Sequence, residues 1–329
     1  ALLQQVIEAK RKEGICLLYP TQGLEAYQHE SPTLYGAERV GLYRMLQQEY
    51  LALTSRHIDF DPSLNDVSQQ ATILLQELSS ESNDVEVCYR QGLRYSSLLQ
   101  TLTEHLPPTE KLATHNSALA SAPESSTTLI TGGTRGLGLL CARHLVTKHG
   151  VKRLLLTGKE AFPPKSQWQQ PGKFSEGIQQ KLKQIQSLQD LGAEVEVCAF
   201  PLDDPETLKQ TYQSIVASMG PIAGIIHAAG LADGDNPAFI RKTSASIAQV
   251  LSPKIEGVQN LLKVVAPEGL QFVLLFSSVS ALIPGMGAGQ SDYAMANAYL
   301  DYFASTHQTQ LPIVSIQWPS WKETGMGEV

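Results

Sequence analysis

In the later part of the chain, short continuous apolar runs alternate with longer stretches whose apolar positions recur every three or four residues. The runs fall at residues 127–131, 153–157, 194–200, 224–229, 271–276 and 313–318. Runs of this length suit strands buried on both faces, and the stretches between them carry helical periodicity. Six strands joined by helical crossovers predict parallel pairing, right-handed connections and helices on both faces of one sheet. That is a doubly wound α/β sheet, in which ligands bind at the C-terminal edge of the strands.

The earlier part reads differently. Gly14-Ile-Cys-Leu-Leu-Tyr19 and Val85-Glu-Val-Cys-Tyr89 look like strands. Between them, residues 38–53 keep helical spacing through Val40, Leu42, Tyr43, Leu46, Tyr50 and Leu53. No glycine-rich strand-to-helix turn occurs there, so a structural role without a cofactor is expected. Residues 114–126 are small, polar and aperiodic and read as a linker. The expected units are therefore 1–120 and 121–329.

Composition narrows the classes. At 329 residues and 42% hydrophobic, the chain can bury two cores. A formal charge of −7 argues against nucleic acid as a partner. Cys16, Cys88, Cys141 and Cys198 form no C-x-x-C pair, so neither a disulfide framework nor a zinc site is suggested and a reducing cytoplasm is expected. No apolar run approaches the roughly 18 residues that cross a bilayer. The chain starts without Met and stops abruptly, as a segment of something longer would.

Four motifs carry chemistry. Thr131-Gly-Gly-Thr-Arg-Gly-Leu-Gly138 follows a predicted strand and opens a predicted helix over 139–148. Glycines at 132, 136 and 138 give a tight turn, close backbone approach and helix–strand packing, while the helix N-terminus offers free N–H groups to a pyrophosphate. Gly132, Thr134, Arg135, Gly136 and Leu137 are the expected contacts. At the end of the next strand, where an acidic residue would bind a ribose 2′-hydroxyl, the chain has Lys159. With Arg135 it suits a 2′-phosphate, and so NADPH. His227-Ala-Ala-Gly230 ends another strand with small residues that let a cofactor lie close. Ala228, Ala229 and Gly230 are expected there, and His227 is read as a packed, hydrogen-bonded side chain. Finally, Phe276-Ser-Ser278 precedes Tyr293-Ala-Met-Ala-Asn297, which sets a tyrosine and an amide one helical turn apart.

Taken with Lys254 in Leu251-Ser-Pro-Lys254, these residues resemble the short-chain dehydrogenase/reductase superfamily, and within it the ketoreductase domain of modular polyketide synthases. Most of the superfamily has Tyr-x-x-x-Lys. The polyketide ketoreductases have Tyr-x-x-x-Asn with the lysine moved upstream, as Tyr293, Asn297 and Lys254 have it here. The resemblance covers the whole chain. It implies a Rossmann-type sheet preceded by a truncated, cofactor-free Rossmann-like subdomain. It also implies NADPH-dependent reduction of a β-keto group on an acyl carrier protein, with neighbouring synthase domains as partners. Ser278 would hold the carbonyl, Tyr293 donate the proton, Lys254 lower the tyrosine's pKa, and Asn297 hold Lys254 or an ordered water. Tyr293 and Lys254 would also touch the cofactor, as would Pro319 in Trp318-Pro-Ser-Trp-Lys-Glu-Thr-Gly-Met326, which is similar to the family's substrate lid. A scaffold or epimerase relative, or a free-standing reductase of a diffusible ketone, are the competing readings.

The chain departs from the family pattern in places. Ser278 and Tyr293 lie fifteen residues apart, more than is usual, so either the loop between them is longer or Ser280 is the active hydroxyl. Ser278 is preferred because it ends the strand. Pro201 stands where an acidic residue near the adenine is common, and Asp204 before Pro205 reads as a helix N-cap. Ala232-Asp233-Gly234 partly matches the Leu-Asp-Asp signature of domains that give a D-configured hydroxyl. Gly41-Leu-Tyr-Arg44, Leu156-Thr-Gly-Lys159 and Gly289-Gln-Ser-Asp-Tyr293 look like synthases served by a separate acyltransferase.

Overall fold

A computed structural model describes residues 1–10, 13–100, 125–159, 161–170, 173–234, 238–265, 267–286 and 289–321. Apart from residues 125 and 126, the expected linker and the boundary after residue 120 lie outside these residues, as does the lid segment beyond Trp321. The described elements form two sheets.

The first follows helix α1 (Leu2–Lys10) and holds β1 (Ile15–Gln22), β2 (Leu53–Phe60), β3 (Glu86–Arg90) and β4 (Leu93–Ser96) in that spatial order. The first three are parallel, joined by α2 (Ala37–Glu49) and α3 (Val67–Leu78), and β4 returns antiparallel. Gln91 and Gly92 both have positive φ, 53° and 78°, the backbone a tight two-residue hairpin needs. One expectation is corrected here. The helical spacing through Leu53 ends early: α2 stops at Glu49, and Leu53 opens β2, where it pairs with Ile15. Leu53 is buried as the spacing required, but by the sheet rather than by the helix.

The second sheet holds β5 (Thr127–Thr131), β6 (Arg153–Gly158), β7 (Glu194–Ala199), β8 (Ile222–His227), β9 (Phe272–Ser278) and β10 (Ile313–Trp318), all parallel. Their spatial order is β10-β9-β8-β5-β6-β7. This is the doubly wound Rossmann order, whose switch point lies between β5 and β8. All six strands fall within a residue or two of the apolar runs. The connecting helices are α4 (Gly136–His149), α5 (Glu176–Asp190), α6 (Pro205–Met219), α7 (Ser244–Leu251), α8 (Glu256–Val264) and α9 (Ser291–His307). Asp204 caps α6 as expected, accepting from the N–H groups of Glu206 and Thr207 at 3.2 Å each.

Helix α9 is where the two units meet. It packs on β9 and β10 on one side and on α2 of the first unit on the other. Ala37 and Val40 of α2 share a core with Tyr299, Leu300, Phe303 and Ala304 of α9. A helix buried on so many sides needs small residues where backbones approach, and Gly41 is such a point. A Cβ there would overlap the Ala294 carbonyl and lie 2.9 Å from the Met295 nitrogen. Arg44, one turn on, is buried: its Nη1 donates to the Ala281 carbonyl at 2.8 Å and its Nε pairs with Glu86 at 2.5 Å.

Gly41→Val must push α2 away from α9. Overpacking of this kind costs about 1–3 kcal/mol, so thermal unfolding should show a drop of several degrees. An unchanged midpoint would refute the tight approach.

Candidate active site

The C-terminal edge of the second sheet gathers the residues singled out above. Strand β5 ends at Thr131 and the chain turns through Gly132, whose φ is +67°. A Cβ on Gly132 would lie 2.9 Å from the Ala228 carbonyl, and one on Gly138 would lie 2.6 Å from the oxygen of Gly132. The glycines thus let loop, helix and the 228–230 segment meet at backbone distance. Helix α4 starts at Gly136 with Arg135 as its N-cap and receives no side-chain cap, whereas Asp66, Asp204 and Thr243 cap α3, α6 and α7. Its first N–H groups are left for an anion. Thr134 is buried against Gly158, while Arg135 at the N-cap of α4 and Lys159 just past β6 are exposed. Ala228, Ala229 and Gly230 are half-buried just past β8, and Pro319 is exposed just past β10. An uncapped helix end above a floor of glycine and alanine fits a dinucleotide pyrophosphate.

His227 ends β8, fully buried. Its Nε2 faces the Pro253 carbonyl at 3.0 Å, which can only accept, so that nitrogen carries the proton. Its Nδ1 then accepts from the Thr131 hydroxyl at 2.8 Å, and the same hydroxyl oxygen accepts from the Ala229 N–H at 3.3 Å. Burial, reinforced by the Lys254 charge, pushes its pKa down to about 3. The ring therefore stays neutral near pH 7, packed and hydrogen-bonded as expected. It holds Pro253, and so the base of Lys254.

Lys254 is buried, and its Nζ donates to the Phe276 carbonyl at 2.5 Å. That nitrogen lies 6.0 Å from the centre of the Tyr293 ring. Removing the ammonium from water pushes its pKa down to about 8, against the opposing pull of Asp301. Burial raises the pKa of Tyr293 above its ordinary value, while side-chain hydrogen bonding with Asn297 and Ser278 works the other way. Asn297 Nδ2 donates to the Tyr293 carbonyl at 2.8 Å, and its Oδ1 is buried without a hydrogen bond among the described residues. The Lys254 ammonium thus donates to strand β9, while the Asn297 side chain engages Tyr293 on its own helix. Ser278, at the end of β9, accepts from the Ser280 N–H at 3.2 Å and from the Ser280 hydroxyl at 3.0 Å. The four residues therefore converge on one place, beside the glycine loop.

Sequence reasoning missed Thr131, which orients His227 and braces Ala229, and Arg44, which reaches the Ala281 carbonyl just past Ser278. Thr131 begins the glycine motif and was legible as a hydroxyl at a strand end. Arg44 had no local signal, because its partners lie on distant elements. Among the described residues no cluster of metal-binding side chains occurs and no helix is long and apolar enough to cross a membrane.

The model of the KR domain family matches residues 126–323, more than half of the chain. Over 329 residues the chain is 50% identical to polyketide synthase PksL of Bacillus subtilis, covering 99% of this chain and 7% of that synthase. It is 38% identical over 224 residues to 6-methylsalicylic acid synthase of Aspergillus terreus, covering 67% of this chain and 12% of the synthase. A solved ketoreductase domain from the bacillaene assembly line superposes with a TM-score of 0.76 at 25% identity, covering 99% of this chain and 71% of that one. The chain thus spans a small part of its curated relatives. With the swapped Tyr293, Asn297 and Lys254 at the strand edge, it belongs to the KR domain family: it is a ketoreductase domain of the polyketide synthases, of the short-chain dehydrogenase/reductase type.

Proposed function

We propose that this domain uses NADPH to reduce the β-keto group of an acyl thioester presented by an acyl carrier protein of its own synthase. The observation that carries this reading is the convergence of Ser278, Tyr293 and Lys254 beside an uncapped, glycine-floored helix N-terminus at the switch point. Gly132, Thr134, Gly136 and Leu137 would receive the pyrophosphate, with Ala228, Ala229 and Gly230 beneath the dinucleotide and Pro319 beside it. Arg135 at the N-cap of α4 and Lys159 just past β6 would take the 2′-phosphate. Bound there, NADPH supplies a hydride to the carbonyl carbon.

The chain's own residues supply the rest. Ser278 Oγ accepts two hydrogen bonds from Ser280, and its own proton is turned toward Tyr293, the place where the substrate carbonyl would sit. This favours Ser278 over Ser280 as the substrate-facing hydroxyl. Tyr293 gives its phenolic proton to the carbonyl oxygen as negative charge develops there. The Lys254 ammonium stabilises the tyrosinate left behind, and the unpartnered Asn297 Oδ1 suits an ordered water through which the proton returns. Asp233 favours a D-configured product. The acyltransferase that loads the synthase is read as a separate protein, and the setting as the cytoplasm.

Removal of a general acid costs roughly 10²–10⁴-fold. Tyr293→Phe should therefore lose about that much turnover of a simple 3-ketoacyl thioester while NADPH titration by fluorescence stays nearly unchanged. A full rate would end the assignment, and chiral analysis of the wild-type product reads the stereochemistry in the same assay.

Each charge-assisted contact to a phosphate is worth roughly 1.5 kcal/mol or more, about tenfold in affinity. Arg135→Ala with Lys159→Ala should lower the preference for NADPH over NADH by at least that factor. An unaltered ratio would remove the 2′-phosphate from this place.

The depressed pKa of Lys254 sets the alkaline limb. The group is charged below about 8 and neutral above it, where a free lysine stays charged up to about 10.4. Turnover should fall as pH rises through about 8, and Lys254→Met should be slow and lack this limb. A flat wild-type profile across pH 7–9 would contradict the role.

A further inference from the structure

Lys242 is a cation with a completely buried side chain, and it belongs to none of the motifs above. Its Nζ lies 3.3 Å from Oδ2 of Asp233 and 3.0 Å from Oδ2 of Asp292. Asp233 sits in the segment that follows Ala228-Ala-Gly230. Asp292 is the residue before Tyr293, is itself buried, and its Oδ1 accepts the Tyr293 N–H at 2.9 Å. One ammonium thus ties the segment beside the cofactor floor to the first turn of the tyrosine helix.

The backbone that carries Lys242 is held by the first unit. The Gln4 side-chain amide donates to the carbonyls of Phe239 and Lys242, at 2.8 and 2.6 Å. Oε2 of Glu49 accepts from the Phe239 N–H at 2.9 Å, and Tyr50 accepts from the Ile240 N–H at 3.2 Å. The other Glu49 oxygen accepts from the Gly289 N–H at 3.2 Å, just ahead of α9. Phe239 is packed in a core with Ile7, Leu42, Leu46, Leu53 and Met295. The cofactor-free unit therefore grips both the root of Lys242 and the approach to its target.

A buried lysine between two carboxylates is a poor stabiliser compared with an apolar side chain of the same size, because both signs of charge lose their water. Its distinct property is placement: the ammonium donates to Asp233 at 3.3 Å and lies 3.0 Å from the Asp292 carboxylate as an ion pair, so two carboxylates on separate elements share one fixed charge. We propose that Lys242 is a positioning residue for the reduction, setting Tyr293 relative to the 231–234 segment through Asp292 and Asp233, on a mount supplied by the N-terminal unit. This rests on Tyr293 being the proton donor.

The test compares the wild type with Lys242→Met, Asp292→Asn and the double variant. Lys242→Met keeps the stem and loses the charge. Asp292→Asn leaves Lys242 paired with Asp233, so it keeps the question answerable if the first variant does not fold. With a 3-ketoacyl thioester, both single variants should lose at least tenfold in kcat with KM and NADPH affinity within about threefold, and the double variant should be no worse than the poorer single one. Amide hydrogen exchange across residues 289–297 should accelerate in both, with circular dichroism unchanged. A folded Asp292→Asn protein with wild-type kcat and wild-type exchange overturns the proposal. If exchange accelerates while Tyr293→Phe proves fully active, the reading of Tyr293 fails and the role of Lys242 in the reduction falls with it, although the mechanical link stands.

Discussion

Helix α9 carries Tyr293 and Asn297, and it is buried on nearly every side between a parallel sheet and a second helix layer. A helix in that position cannot shift without breaking contacts on two faces, so its side chains are aimed by packing rather than by local preference. Alanines at 294, 296 and 298 and the glycine at 41 in the facing helix make the approach possible. The tyrosine hydroxyl is therefore placed by a sandwich whose two layers come from different units of the chain. In an open doubly wound sheet the outer side of this helix would meet water. Here it meets Ala37, Val40 and Leu42, and the hydrophobic area removed there joins the two units into one core.

The same burial sets the electrostatics. Lys254 lies among apolar atoms with one carbonyl to receive its proton, so its charged form is only marginally held and titrates near neutrality rather than above pH 10. His227 is buried in the neutral form, and its tautomer is fixed from both sides. A neutral imidazole next to the lysine is the arrangement that spares the ammonium a like charge, since the Lys254 charge is itself one of the causes that hold His227 unprotonated. The neighbouring histidine and lysine thus divide the work: one anchors the backbone at Pro253 and the other keeps the proton.

The six-stranded sheet could be read from the chain because its central strands β5, β6 and β8 are buried on both faces, which leaves dense apolar runs, and the partly exposed edge strands β7 and β10 fall in step with them. The glycine loop was equally plain, since its requirements of positive φ and backbone contact are local. The first unit was harder. β2 holds Arg56, His57 and Asp59 among its buried residues, so its apolar run is broken by polar groups that are satisfied only through partners far along the chain. Leu53 then fitted the helical spacing by coincidence of phase. At the strand edge, Tyr293, Asn297, Ser278 and Lys254 were singled out because the family resemblance names their types and spacing. Between Ser278 and Ser280 the sequence preferred Ser278 because it ends the strand, and the hydrogen bonds between the two hydroxyls were not legible there.

What sequence could not convey at all was the direction of dependence between the units. An N-terminal unit without a phosphate loop reads as inert, yet Arg44 donates to the carbonyl of Ala281 just past Ser278, and Glu49 accepts from the Gly289 N–H just ahead of α9. Both residues belong to α2, and each grips backbone at one end of the 281–289 loop, the stretch in which this chain exceeds the usual serine-to-tyrosine spacing. Additional loop length costs little while the ends are fixed, since closure entropy grows only slowly with length. Ser278 and Tyr293 are thus flanked by backbone held from outside their own sheet, so the segment between them can lengthen while its ends stay fixed. The first unit then has a physical use: it supplies those fixed points at the edge of the second sheet.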